Sequence, residues 1–184
     1  MVERTADGAG RAGARTSVAL VRLDRSGPEV ERLRAAVLRI RVAPGQRALV
    51  TEAVETLPRA DADPDRTPFA VLAGGEPAGF GIIDRGGARA ELTGIAADTA
   101  RAVMLRAFYL APERQGQGIG RRACAAVEAL VRSVHPDAAE VFVVVSELNR
   151  AAVRAYRAGG FAPTGDRLLD GVSAPRAVLR MALA

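Results

Sequence analysis

A glycine-rich turn lies between a strand pattern and the longest amphipathic helix pattern of the sequence. The turn, residues 116–120 (GQGIG), follows the predicted strand 102–110 and leads directly into the helix. Glycine lets the backbone approach a ligand closely, and the first turn of a helix has unpaired N–H groups at the positive end of its dipole. These features predict an anion site suited to a pyrophosphate, with Arg121 and Arg122 adding charge at its rim. The same residues would also form an ordinary strand-to-helix turn.

A second candidate pair is Asn149 and Tyr156, which lie seven residues apart in a short helix pattern. Seven residues make about two helical turns, so both side chains project from the same face of the helix. Asparagine is a good N-cap and tyrosine is a common packed aromatic, and neither role prevents contact with a ligand. The pair is therefore a candidate for ligand contact as well as for capping and packing.

The composition excludes several other kinds of site. The sequence has one cysteine, Cys124, and one histidine, His135, which are too few soft ligands for a zinc site. A catalytic unit of the Ser-His-Asp or Cys-His type could use only His135, which stands in a predicted loop. All 26 basic residues are arginine, so the lysine of a P-loop is missing. The dinucleotide pattern G-x-G-x-x-G is also absent, because Arg121 follows Gly120.

Two motifs in the chain, taken in order, resemble those of one protein family. Residues 115–120 match the pattern Q/R-x-x-G-x-G/A, and residues 149–161 match N-x-x-A-x-x-x-Y-x-x-x-G-F. They are similar to the motifs of the GNAT superfamily of acetyl-CoA-dependent N-acetyltransferases, and the resemblance extends from Ala70 to Met181. It implies a single GNAT-like domain, an acetyl-CoA cofactor and transfer of an acetyl group to a primary amine.

The resemblance also implies where the cofactor lies. Backbone groups of residues 108–110 would pair with the pantetheine arm, and the N–H groups of residues 116–121 would hold the pyrophosphate. Asn149 would lie near the pantetheine arm, and Tyr156 would be the catalytic residue that protonates the departing thiolate. The expected cofactor-binding residues are Phe108, Tyr109, Leu110, Gln115, Gly116, Gln117, Gly118, Ile119, Gly120, Arg121 and Asn149.

The motifs do not identify the residue that would deprotonate the amine. Many relatives carry a glutamate five residues before the motif asparagine, and Val144 stands at that position here. Glu147 or a chain of water molecules could remove the proton instead. Cys124 is predicted on the packed side of its helix and is not expected to be a nucleophile, because in this family the amine attacks the thioester directly.

The acceptor is predicted from a short segment in the first third of the chain. Residues 39–50 are similar to the start of the bacterial spermine/spermidine acetyltransferases, although Leu49 replaces an aromatic residue. Glu52 and Glu55 follow, and carboxylates here would suit a polyamine substrate or, equally, a solvated acidic face. Two other hypotheses stay open. One is an acetyltransferase for another amine, such as an antibiotic, an amino acid or a protein N-terminus, and the other is a non-catalytic acyl-CoA-binding protein.

Apolar periodicity predicts an α/β domain with a mixed, mostly antiparallel central sheet flanked by about four helices. The first helix has an apolar face that extends from Val30 to Ile40, and a second helix is predicted around residues 48–57. Residues 85–101 are interpreted as a strand extension with a turn. The predicted strands are 18–21, 69–72, 80–83, 102–110, 141–145 and two closing strands.

The domain is predicted to cover residues 17–184, with residues 1–16 as a flexible tail. No apolar run approaches the roughly 18 residues of a membrane helix and the tail lacks a signal sequence, so a cytoplasmic protein without membrane contact is expected. The arginines are scattered and aromatic residues make up only 4% of the chain, which disfavours nucleic-acid binding. The expected partners are a small-molecule amine and, because dimers are common in the family, a second copy of the chain.

Overall fold

The computed structural model describes residues 16–169 and 174–184, so all but one residue of the predicted tail lies outside the described residues. Within these ranges the chain forms one seven-stranded sheet and five α-helices. The strands are β1 (Val18–Arg22), β2 (Arg66–Ala73), β3 (Glu76–Asp84), β4 (Ala102–Leu110), β5 (Glu140–Ser146), β6 (Ala162–Leu168) and β7 (Arg176–Ala182). The helices are α1 (Pro28–Val37), α2 (Ala53–Asp61), α3 (Arg85–Glu91), α4 (Ile119–Val134) and α5 (Arg150–Ala158).

The sheet is mixed, as predicted, with the strand order β1-β2-β3-β4-β5-β7-β6. Every neighbouring pair is antiparallel except β4 and β5. These two strands pair only from Ala102 opposite Glu140 to Met104 opposite Phe142. Beyond that point β4 continues to Leu110 beside β3, while β5 follows β7. The sheet therefore opens into a gap between the ends of β4 and β5.

A bulge in β4 lies beside this gap. Between the pairs Phe80–Tyr109 and Ile82–Arg106, β4 has one residue more than β3. Ala107, in this stretch, has a φ of 47°, which is uncommon for a residue with a Cβ. Because a bulge bends a strand and increases its twist, this irregularity contributes to the divergence of β4 from β5.

Helices cover both faces of the sheet. Successive residues of β2 show the two sides, because Phe69 and Val71 pack with α4 and α5, whereas Ala70 and Leu72 pack with α1 and α2. A third, smaller apolar cluster includes residues of α3 and Met104 of β4. The chain therefore has three layers, with the gap between β4 and β5 in the middle layer.

Residues 85–101, interpreted from the sequence as a strand extension, form α3 and a 3₁₀ turn at Thr99–Arg101. The strand interpretation is wrong. α3 contains two glycines, which lower its helix propensity, so the local pattern does not indicate a helix. The buried Asp84 side chain caps it, accepting a hydrogen bond from the N–H of Gly87 at 2.7 Å. The cap supplies stability that the local propensity lacks.

The first two helices are also shifted from their predicted positions. α1 ends at Val37 rather than near Ile40, and α2 begins at Ala53 rather than near residue 48. The side chain of the N-cap residue, Glu52, does not cap α2. Instead, the N–H of Ala53 donates a hydrogen bond to the hydroxyl of Tyr109 on β4 at 2.9 Å. The start of α2 thus depends on a strand 56 residues further along the chain, which a local pattern does not reveal.

The two helices α4 and α5 pack closely through Gly159, the C-cap residue of α5. A Cβ at this position would lie 2.3 Å from the Cβ of Cys124 and 2.9 Å from the carbonyl oxygen of Arg121. Real Cβ atoms do not approach other atoms this closely, so only glycine fits between the helices. The contact fixes α5 against the first turns of α4.

Gly159→Ala is expected to destabilise the fold. The added methyl group must displace atoms of α4, and overpacking of this kind typically costs about 1–3 kcal/mol. Urea denaturation should therefore show a lower midpoint than for the parent protein. Gly45→Ala is the matched control, because a Cβ there would meet no atom within 4 Å. Equal midpoints for the two variants would contradict the close packing of α4 and α5.

Candidate active site

A cavity of about 320 Å³ lies at the gap, between the end of β4 and the starts of α4 and α5; we call it the α4 cavity. Its volume is within the range found for small-molecule sites. Ten of the twelve residues predicted for cofactor binding and catalysis line it, namely Phe108, Tyr109, Leu110, Gln115, Gly116, Gly118, Gly120, Arg121, Asn149 and Tyr156. Sequence reasoning missed the other lining residues, which are Gln46, Val50, Ala151, Ala152, Arg154 and Ala155.

The start of α4 offers unpaired backbone donors to this cavity. Gly118 is the N-cap, in the left-handed conformation with a φ of 71°, and no side chain caps the helix. In the described part of the chain, no group accepts a hydrogen bond from the N–H groups of residues 118–121. A Cβ on Gly116 or Gly118 would meet nothing within 4 Å, so the space beside the turn is open. Because the helix dipole also favours negative charge there, this end of the cavity can bind an anion.

The end of β4 offers a second set of backbone groups. Residues 108–110 line the cavity, and beyond its three paired residues β4 has no partner on the β5 side of the described sheet. The Gln115 side-chain amide donates hydrogen bonds to the Leu110 carbonyl at 3.1 Å and to Gln46 Oε1 at 2.9 Å. Gln115 therefore ties the strand end to the segment before α2. An extended ligand can lie along β4 as a neighbouring strand would.

Tyr156, on α5, is the aromatic residue of the cavity with an unused polar group. It is 5% exposed, and its ring centroid lies 6.0 Å from that of Phe108 and 5.7 Å from that of Phe161. No described residue hydrogen-bonds its hydroxyl, which is therefore available to a ligand. Burial raises the pKa of Tyr156 well above its ordinary value, with a smaller contribution from nearby Cys124. The phenol stays protonated and can donate a hydrogen bond or a proton.

Asn149 caps α5 and also lies at the wall of the α4 cavity. Its Oδ1 accepts a hydrogen bond from the N–H of Ala152 at 3.2 Å, so it caps α5, and it also lines the α4 cavity. Ala152 lies three residues after Asn149 and four before Tyr156, so helical spacing alone could have identified it as a lining residue. The capping bond fixes the end of α5 at the cavity wall.

Gln117 and Ile119, predicted to bind the cofactor, and Arg122, predicted at the rim of the anion site, do not line the α4 cavity. Gln117 donates a side-chain hydrogen bond to the Glu113 carbonyl at 2.7 Å, and Ile119 is buried in the core. Arg122 turns back to donate to the carbonyl oxygens of Gly118 and Gln117, both at 3.3 Å. It therefore fixes the turn, and the charges at the cavity are instead those of Arg121 and Arg154.

A second cavity, of about 410 Å³, lies on the other side of β4. Val50 lines both cavities, and the consecutive residues Ala107 and Phe108 line one each. Val144, the position at which a base would be expected, also lines the second cavity. We call it the arginine cavity, because its lining includes Arg47, Arg59, Arg66, Arg106 and Arg176. The two cavities therefore adjoin at the end of β4.

The buried carboxylate of Asp84 holds two of these arginines. Its Oδ2 lies 2.9 Å from Nε of Arg106 and 3.3 Å from Nε of Arg66. Arg106 also pairs with Glu91 on α3. Asp84 thus links β2, β3, β4 and α3 beside the arginine cavity, and its removal would take one carboxylate partner from each of two partly buried guanidinium groups.

The acidic residues expected at an amine site, Glu52 and Glu55, line neither cavity. Glu52 accepts a hydrogen bond from the N–H of Val42 at 2.9 Å and pairs with Arg41 at 3.4 Å. Glu55 is exposed on α2. The carboxylate of Glu52 therefore holds the segment before α2 in place.

A different carboxylate faces the second cavity. Glu147, one of the candidates for a base, pairs with Arg167 at 2.6 Å and lines neither cavity. Glu91, which the sequence did not single out, lines the arginine cavity together with Val144. No sequence signal could have found Glu91, since it lies in the segment that was interpreted as a strand.

Cys124 and His135 line neither the α4 cavity nor the arginine cavity. Cys124 is buried against α5, and burial raises the pKa of its thiol to about 12. His135 is the C-cap of α4, at the opposite end of that helix from the cavity. The arrangement offers no nucleophile for a covalent intermediate at these two positions.

The family of the chain follows from comparison with known proteins. A sequence model of the Acetyltransferase (GNAT) family matches residues 28–161, a span that includes the glycine-rich turn, Asn149 and Tyr156. The chain belongs to this family, and it is an N-acetyltransferase that uses acetyl-CoA. Among curated proteins, none is similar enough in sequence for a significant match. No described helix is long and apolar enough to cross a membrane.

Solved structures share the fold. The aminoglycoside acetyltransferase AAC(6')-Ib, in complex with paromomycin and acetyl-CoA, has a TM-score of 0.64 and 18% identity over 90% of this chain and 93% of that chain. RimJ of Mycobacterium smegmatis, in complex with CoA-disulfide, has a TM-score of 0.61 and 18% identity over 90% of this chain and 81% of that chain. A chimera of the Vibrio cholerae spermidine N-acetyltransferase SpeG with hSSAT has a TM-score of 0.59 and 15% identity over 90% of this chain and 95% of that chain. These likenesses confirm the predicted GNAT-like α/β fold.

Cys124 is expected to resist thiol reagents in the folded protein. With a pKa of about 12, only about one thiol in ten thousand is ionised at pH 8, and the side chain is buried. Labelling with a chromogenic disulfide should therefore require denaturant and should then count one thiol per chain. Rapid labelling of the native protein would show that the helix pair opens, and would contradict the packing described for α4 and α5.

Proposed function

We propose that this protein transfers the acetyl group of acetyl-CoA directly to a primary amine of a small molecule. The observation that carries the proposal is the pair of adjoining cavities at the gap between β4 and β5. One has the backbone donors and charges that suit an acyl-CoA, and the other is a separate space for the acceptor. Two substrates held side by side in this way can react without an acyl-enzyme.

The groups of the α4 cavity fit acetyl-CoA. The N–H groups of residues 116–121, together with the guanidinium groups of Arg121 and Arg154, would hold the pyrophosphate. The free edge of β4 at residues 108–110 would pair with the amide groups of the pantetheine arm, and Asn149 would lie beside that arm. The cavity therefore provides matching partners for both polar parts of the cofactor.

Tyr156 is proposed as the general acid. Acetyl-CoA supplies an activated thioester, and the departing thiolate needs a proton. The Tyr156 hydroxyl lines the α4 cavity without a partner in the described part of the chain, and its raised pKa keeps it protonated. Phe108 and Phe161 hold its ring from two sides. The residue is therefore positioned and protonated as the role requires.

Glu91 is proposed as the group that helps to deprotonate the amine. An alkylammonium group has a pKa near 10.4, so its neutral form costs about 4–5 kcal/mol at pH 7. Val144 cannot accept a proton, and Glu147 is paired outside the arginine cavity. Glu91 lines that cavity, where it is paired with Arg106, and can act through a water molecule.

A non-catalytic acyl-CoA-binding protein is the rival hypothesis, supported by the apolar residue at Val144. The arginine cavity favours catalysis instead, because a protein that only binds the donor needs no second space beside it. Measuring thiol release from acetyl-CoA with a panel of primary amines separates the two. Amine-dependent release supports the transferase, and CoA binding without release for every amine would support the rival.

Gly120→Val is expected to weaken CoA binding without unfolding the domain. A Cβ at Gly120 would lie 3.5 Å from Ala155 Cβ and 3.6 Å from Leu110 Cδ1, so a branched side chain would occupy the α4 cavity. Calorimetry should show affinity reduced on the order of tenfold or more, because the clash opposes only the bound state. Ala129→Val, on the exposed part of α4, controls for a β-branched residue in this helix. Unchanged CoA affinity in a folded Gly120→Val protein would refute the donor assignment.

Tyr156→Phe is expected to lower kcat on the order of 10²-fold with little change in KM. An acid that acts on the leaving thiolate stabilises the transition state and not the bound substrate. The variant keeps the packed ring, and steady-state kinetics beside a melting curve measure the effect. Tyr109→Phe is the contrasting variant. Its hydroxyl bonds to the N–H of Ala53 and the carbonyl of Ile40, so its loss should lower stability by about 1 kcal/mol.

Repeating the Tyr156→Phe comparison over a range of pH tests the protonation state of the acid. Because burial raises the pKa of Tyr156 above its ordinary value of about 10, the phenol should stay protonated up to that pH. The parent rate should then rise with pH as the amine loses its proton, and should not fall again below about pH 10. A decline of the parent kcat near pH 9 that disappears in Tyr156→Phe would contradict this role.

A further inference from the structure

The arginine cavity has an excess of positive charge. Five arginines line it, against one carboxylate, that of Glu91, among the described lining residues. The guanidinium groups of Arg47 and Arg59 have no hydrogen-bond or ion-pair partner in the part of the chain that the structure describes. Arg47 lies in the segment before α2 and Arg59 lies on α2, so both guanidinium groups come from the same wall of the cavity.

Of the other arginines at this cavity, Arg66 and Arg106 are compensated and fixed by ion pairs. Asp63, Asp84 and Glu91 pair with the guanidinium groups of Arg66 and Arg106. Asp84 is fully buried, so these ion pairs give the strands beside the cavity a fixed arrangement of charge. The unbalanced charge is therefore that of Arg47 and Arg59, which are exposed side chains able to close on a ligand.

We propose that the acceptor amine also carries a negatively charged group, a carboxylate or a phosphate, which binds in the arginine cavity to Arg47 and Arg59. The inference rests on the proposed function, since it names the class of acceptor for that reaction. Guanidinium groups bind carboxylates and phosphates through paired, charge-assisted hydrogen bonds. At the gap, Val50, Ala107 and Val144 present small or apolar side chains, which suit the neutral amine that must attack.

The same charges disfavour the polyamine acceptor predicted from residues 39–50. Each extra ammonium group of a polyamine would enter a cavity in which the one lining carboxylate, Glu91, is already paired with Arg106. The carboxylates expected to attract it, Glu52 and Glu55, line neither cavity. Like charges within one cavity repel, and partly buried sites screen the repulsion less than bulk water does.

A matched series of acceptors tests the inference. It consists of ω-amino acids of two to six carbons, with the n-alkylamines and the terminal diamines of the same lengths, and ethanolamine phosphate beside ethanolamine. Thiol release from acetyl-CoA gives kcat/KM for each. The kcat/KM of the anionic amines should exceed that of the neutral amines on the order of tenfold, because their charge complements the cavity. It should exceed the kcat/KM of the diamines by a larger factor. Added salt should reduce the preference.

A double variant, Arg47→Gln with Arg59→Gln, connects the preference to the cavity. The ratio of kcat/KM for the amino acid to that for the alkylamine of equal length should fall to near one. Arg132→Gln, on α4 and outside both cavities, is the matched control and should keep the parent ratio. Retention of the full preference in the double variant would overturn the assignment of these two arginines.

Calorimetry on the protein saturated with CoA provides a second readout that does not depend on turnover. An ω-amino acid should bind, and the diamine of the same length should not. Turnover or binding that favours the diamine would overturn the inference and leave the proposed function standing. Turnover or binding that is equal for the anionic, neutral and dicationic acceptors would do the same. Binding of the amino acid without thiol release for any amine would refute the proposed function and leave the anion site. If no member of the series binds, the inference is wrong.

Discussion

The short pairing of β4 with β5 is the constraint on which the candidate site depends. Each strand is paired along its other edge, β4 with β3 and β5 with β7, so the two can separate after Met104 and Phe142 without losing their places in the sheet. The separation leaves backbone groups of β4 without a strand partner, and buried groups of this kind need another partner. The uncapped first turn of α4 adds further donors. The candidate site thus consists largely of backbone groups that have no partner among the described residues.

The side chains around the gap mainly keep this opening in place. Gly159 allows α5 to approach α4, so that Tyr156 reaches the cavity. The hydroxyl of Tyr109 fixes the start of α2, and Gln115 joins the end of β4 to Gln46. These contacts come from different parts of the chain, and all of them converge on the end of β4. The strand is therefore both the structural support of the site and part of its binding surface.

Arginine side chains give both cavities positive charge. Arg121 and Arg154 lie where the phosphates of acetyl-CoA are proposed to bind, and their charge is independent of pH because guanidinium groups do not deprotonate. Across β4, Arg47 and Arg59 add positive charge that no described residue neutralises. A polycationic acceptor and this second cavity are poorly matched, whereas an amine with an acidic group complements it. The overall fold is common to acetyltransferases with different acceptors, so selectivity depends on such local charges.

The sequence by itself determined the features that depend on neighbouring residues. The glycine-rich turn, the N-cap Asn149 and the two-turn spacing to Tyr156 follow from local backbone geometry, and the family followed from the same motifs. Their proposed roles in catalysis stay predictions. Only the tertiary structure placed Arg47, Arg59 and Glu91 around one space, because they lie on the segment before α2, on α2 and on α3, and α3 is far from the other two in the sequence. It also paired Glu52 with Arg41, since an ion pair depends on distances that sequence spacing does not encode.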